Sequence, residues 1–135
     1  MTNSSPMWAI QVAVRNALLA DTDITDVVTG VYDHVPETAG FPYITVGEAT
    51  ETSDNTHNTF GHQTTVTLHI WTRQRGHKQG LELLQSVKAA LDRQPLTVDG
   101  RHTVLIRHEF TQTLRDPDPE VRHIPARFRV ITQEV

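Results

Sequence analysis

The chain has 135 residues, a net charge of −4, 37% hydrophobic and 6% aromatic content, and no cysteine. Its length suits one domain with a modest core. The missing cysteine excludes disulfides, thiolate catalysis and Cys-ligated metal. No run nears the roughly 18 apolar residues of a spanning helix. The opening MTNSSPMW has neither a basic n-region nor an apolar h-region, so no secretory signal is expected, and the setting is read as aqueous and cytosolic. Charge is segregated: residues 1–72 carry one base, Arg15, against eight acids, and residues 73–135 carry eleven bases against eight acids. The halves are therefore −7 and +3. Either folding averages this away, or it marks complementary surfaces that meet between copies. A nucleic-acid patch is the weaker reading, because no basic stripe is interleaved with aromatics.

From Pro6 to Asp21, Met7, Ile10, Val14, Ala17 and Leu18 recur at helical spacing, with Ser5 as a cap and Pro6 at the first helical position. Thr22–Thr29 reads as a short helix stopped by Gly30, and Val31–Val35 as a short strand. Pro42–Glu48 reads as a strand, rich in β-branched and aromatic residues. A second run alternates, with Val66, Leu68 and Ile70 on one face and Thr65, Thr67 and His69 on the other. Between them, Thr50–Phe60 reads as a long polar loop without Lys or Arg. Gly80–Asp92 reads as a helix with Leu81, Leu84, Val87, Ala90 and Leu91 on one side. A short strand at Leu96–Val98 leads to the turn signal Asp99-Gly100. Two long strands follow, near Thr103–Leu114 and Val121–Thr132, joined by the acidic turn Asp116–Glu120. On the last, Ile124, Ala126, Phe128 and Val130 share one face and Arg127 and Arg129 the other; Pro125 places that strand at an edge or a bulge. The sum is an α+β fold with a mainly antiparallel sheet, one long helix packed on it and an N-terminal helix.

No catalytic constellation emerges. His57 and His62 lie in a loop, His102 and His108 sit about 20 Å apart along a strand at ~3.3 Å per residue, and His34, His69, His77 and His123 are scattered. No HExxH pair, phosphate loop or nucleophile elbow occurs. Ser53, Asp54 and His57 form a polar cluster with no rigid support, and the Glu48/Glu51 and Asp116/Asp118/Glu120 carboxylates have no apolar pocket to tune them. No catalytic, cofactor or metal residue is assigned. Trp71 is an interface candidate: it faces away from Ile70 and is exposed, unless the strand bulges there and the ring packs on the next helix. Phe60 shares that ambiguity. Arg127 and Arg129 are either a solvated face or partners in an interface salt bridge.

Several segments, in this order, resemble the tail completion (tail terminator, or head-to-tail joining) proteins of long-tailed phages and of phage-derived gene transfer agents. They are Leu18-Leu19-Ala20-Asp21, Gly30-Val31-Tyr32, Pro42–Thr52, Leu68-His69-Ile70-Trp71, the helix around Leu84–Leu91, Arg115-Asp116-Pro117 with Arg122-His123, and Arg127-Phe128-Arg129. The resemblance runs from Met7 to Ile131, on a single domain spanning 1–135. It implies a structural virion protein, not an enzyme, that forms a hexameric ring on the head-proximal end of the tail tube. Its partners would be other copies of itself, the tube protein and a head connector or adaptor. DNA would pass through without sequence-specific binding, and neither a membrane nor a cofactor is involved. It places the protein in the virion tail at the head–tail interface, assembled in the bacterial cytoplasm. In such a ring Thr50–Phe60 borders the channel or lies on the rim. A head-side neck adaptor and a small metal-dependent hydrolase are the alternatives.

Overall fold

The computed structural model describes residues 4–135. Its elements are α1 (Met7–Leu19), α2 (Thr22–Thr25), β1 (Val31–Tyr32), β2 (Tyr43–Ser53), β3 (Gly61–Arg73), α3 (Lys78–Leu91), β4 (Arg101–Thr111), β5 (Leu114–Arg115) and β6 (Val121–Glu134). One sheet orders them β1-β2-β3-β6-β4, with β5 beside β6. The β1–β2 pairing is parallel and the others antiparallel. Two helices of 13 and 14 residues cover the sheet, not a single long one.

The core forms where alternating strand residues meet the helices' apolar stripes. Val66, Leu68 and Ile70 of β3 and Ile124, Ala126, Phe128 and Val130 of β6 are buried, joined by Ile10, Val14 and Leu18 of α1 and Leu84, Val87 and Leu91 of α3. On α1 this is the i, i+4, i+8 stripe of an amphipathic helix. Its start is displaced by one residue from the sequence reading: Pro6 is the N-cap residue, and Ser5 Oγ accepts from Met7 N at 3.3 Å. Asp21 caps α2 by accepting from Asp23 N at 2.9 Å. On α3 the side differs from expectation, since Leu83 is buried and Leu81 is 41% exposed. Gly80 sits in its first turn because a Cβ there would meet Ile124 Cδ1 at 2.6 Å.

Three other expectations change. Thr50–Ser53 is strand, so the loop between β2 and β3 shrinks to residues 54–60 and the two strands form a long arm. Thr50 Oγ1 and Thr65 Oγ1 share a hydrogen bond across that arm, and Asp54 N donates to Gly61 O at 2.8 Å. Leu96 and Val98 are buried, yet residues 96–98 pair with no strand. β6 is interior rather than an edge, despite Pro125. The Pro125 carbonyl accepts from Gln112 N at 3.1 Å, so its nitrogen also faces the β4 side. There β4 has ended at Thr111 and β5 resumes at Leu114, so no ladder bond is lost.

Candidate interaction site on the open sheet face

The helices cover one face of the sheet and leave the other bare. On the bare face the strands carry Tyr43 and Thr45 (β2), Thr65, Thr67, His69 and Trp71 (β3), Arg107 and Phe110 (β4), and His123, Arg127 and Arg129 (β6). The register sets them side by side: Tyr43 opposite Trp71, Trp71 opposite His123, Thr67 opposite Arg127 and Thr65 opposite Arg129.

At one end the rings stack. Trp71 lies 3.9 Å from His123 between centroids, stacked nearly parallel at 7°, with Tyr43 on its other side at 6.4 Å. Trp71 Nε1 donates to Thr45 Oγ1 at 3.3 Å. Trp71 thus stays on the bare face, because β3 runs on to Arg73 without a bulge at Ile70. It does not pack on the following helix, and the stack leaves it half-buried. His69 links this stack to a carboxylate: its Nε2 donates to Glu48 Oε2 at 3.1 Å, and its Nδ1 lies 2.6 Å from His123 Nε2. With His69 neutral, Nδ1 accepts and His123 donates, so one hydrogen-bonded relay joins the side chains of three strands. Burial, then the neighbouring His69, pushes the His123 pKa down, against the opposing pull of Asp116 and Glu48. For Glu48, burial raises the pKa, but the backbone and His69 hydrogen bonds outweigh it, and the carboxyl ends below its ordinary range.

Toward the middle of the face, Glu109 Oε2 accepts from Arg127 Nε at 2.8 Å and its Oε1 from Arg129 Nε at 2.6 Å. Arg129 also donates to Gln63 Oε1 at 3.1 Å, and Arg127 stacks over Phe110 at 5.2 Å. The Arg129 hydrogen bond is the chief reason the Glu109 pKa falls, against some loss of hydration.

Trp71, Arg127 and Arg129 therefore share one surface, as strand parity implied. Phe60 does not join them. It lies in the arm's tip loop, half-buried, where its carbonyl accepts from Glu134 N at 2.9 Å. Ten β3 positions separate Gly61 from Trp71, about 33 Å at ~3.3 Å per residue. The histidine reading missed the His69–His123 contact. Extending the Arg127/Arg129 parity back by twos reaches His123, but the β3–β6 register that brings it to Trp71 is a pairing of distant segments. Among the described residues, no three His, Cys, Asp or Glu side chains are grouped to hold a metal ion.

The open face thus presents aromatic rings and fixed charges on a helix-backed sheet. The fold matches a chain from a structure described as the virion of a native gene transfer agent (GTA) particle. That match has a TM-score of 0.86 and 21% identity, over 96% of this chain and 98% of the other. No curated protein matches the chain. The family model for tail completion protein gp17 matches residues 12–133, which makes this a structural protein of phage-type tails. The chain belongs to the tail completion protein gp17 family.

Proposed function

We propose that this protein is the ring-forming tail terminator of its particle, acting as a single domain over its whole length. It caps the head-proximal end of the tail tube and offers the surface on which the head connector docks. The ring is hexameric, DNA passes through it without sequence-specific contacts, and the role is structural rather than catalytic. Its place is the head–tail interface of the virion, reached after assembly in the host cytoplasm. The observation that carries the reading is family membership across residues 12–133. The open face supports it: Trp71, His123, Arg127 and Arg129 supply anchors of the kinds enriched at protein interfaces. That face is a candidate for the tube or the connector.

Electron microscopy of particles made without this gene tests the proposal. Filled heads beside overlong or irregular unattached tails are the expected result. Normal-length tails left separate from heads would move the protein to joining or to the head side. Intact particles would contradict the structural role altogether.

A further inference from the structure

The sheet has two uncovered edges, and they differ in charge. β1 shields β2 only at Ile44 and Thr45, so the outer side of β2 from Gly47 to Ser53 meets no strand. That stretch, GEATETS, carries Glu48 and Glu51 and no base. At the opposite edge, β4 runs eleven residues with no strand paired beyond it among the described residues. The preceding segment bonds to its backbone at two places, where Arg101 N donates to Val98 O at 3.1 Å and Arg93 N donates to Ile106 O at 2.8 Å; nearby, Asp92 Oδ1 accepts from His108 N at 2.7 Å. Between those two attachments lies a cleft of about 470 Å³ between β4 and the segment 93–98, lined by Arg93, Arg101 and His102 and by no acid. Val104 and Phe110 on this edge are 52% and 45% exposed. The one β4 acid, Glu109, is already held by Arg127 and Arg129. A strand edge that carries exposed apolar residues and pairs with no strand is a template for strand addition.

We infer that the β2 edge of one copy adds to the β4 edge of the next, and that this strand pairing is the contact that builds the ring. The inference rests on the ring reading above and names its interface. Direction and charge both fit. β2, β3, β6 and β4 alternate in direction, so copies related by rotation about an axis along the strands bring β4 against the next β2 antiparallel. The sheet then continues from copy to copy. Charge matches on the bare face, where Glu48, beside His69, meets the side bearing His102 and Arg107; on the helix-covered face Glu51, which accepts from Ser5 Oγ, meets the side bearing Arg101, whose guanidinium is held within its own chain by Ser4 and His62. Each copy uses two different patches, which is the heterologous contact a closed ring requires.

Analytical ultracentrifugation of the purified chain, with E48K/E51K and H102E/R107E variants, tests this. All four residues are at the surface, and circular dichroism checks that each variant folds. The wild-type chain is expected to associate, less so at high salt. Each variant alone should be monomeric at least tenfold above the wild-type association midpoint. A one-to-one mixture should regain assembly, because every β4 edge then faces a β2 edge of opposite charge. Variants that assemble like wild type would overturn the edge pairing and leave the ring standing. A mixture that stays monomeric would overturn it too. So would a wild-type chain that never associates; the gene-deletion particles would then decide the tail role separately.

Discussion

Successive residues of the same strand live in different worlds here. Val66, Leu68 and Ile70 are packed in the core with at most 1% of their surface exposed, whereas on the opposite face Thr65 and Thr67 keep 6% and 9% exposed and His69 and Trp71 are half-buried. The covered face is held by apolar burial, which tolerates no gap. The bare face is held by stacking and charged hydrogen bonds among its own side chains: Trp71 on His123, and Glu109 between Arg127 and Arg129. The first face makes the protomer stable. The second keeps large side chains in place at modest cost, which under the proposed function would give a partner a preorganised surface.

Four substitutions measure that difference, and denaturant unfolding reads the first three. Phe128→Ala should cost about 3–5 kcal/mol, because the ring is 1% exposed at the centre of the core and the sheet cannot collapse into the space. Trp71→Ala removes a larger side chain but should cost only about 1–2 kcal/mol, since one flank of the ring is open and the stack supplies the rest. Equal losses would mean that the bare face is a second core.

Glu109→Gln should cost about 1 kcal/mol near neutral pH, as both arginines keep an acceptor but lose the charge that holds them. The folded pKa of Glu109 lies below the ordinary 4.5, so its stabilisation is present above that value and disappears as pH falls through the folded one. The gap between wild type and variant should therefore close in acid; a gap constant with pH would show that the carboxylate charge is idle.

The smallest effect is expected from His123→Gln, read as the pH slope of stability. Burial and His69 hold the folded His123 pKa below 6.5, so the unfolded chain takes up its proton first and stability falls as pH drops through 6.5. His108, lowered chiefly by burial, acts in the same direction, so the variant should flatten the slope without removing it. An unchanged slope would place His123 outside the titration.

The covered face was largely legible in the sequence. Alternation on β3 and β6 named Val66, Leu68, Ile70, Ile124, Ala126, Phe128 and Val130, and all seven are buried. Parity also put Trp71, Arg127 and Arg129 opposite them. What the sequence hid was register and order. Pro125 pointed to an edge or a bulge, because nothing local says that β4 stops at Thr111 where the proline lacks its donor. Thr50–Ser53 read as loop because its composition is polar, but cross-strand pairing with Gln63–Thr65 and His62 holds it as strand. The Glu48–His69–His123 relay needed two registers at once, and no single segment contains either.

A reconstruction of the intact particle by electron cryo-microscopy tests the central claim most directly. The account predicts one ring of this fold, seated between the last tube ring and the head connector, with strands running between neighbouring copies. Copies repeated along the tube, or density for this chain nowhere in the particle, would contradict it.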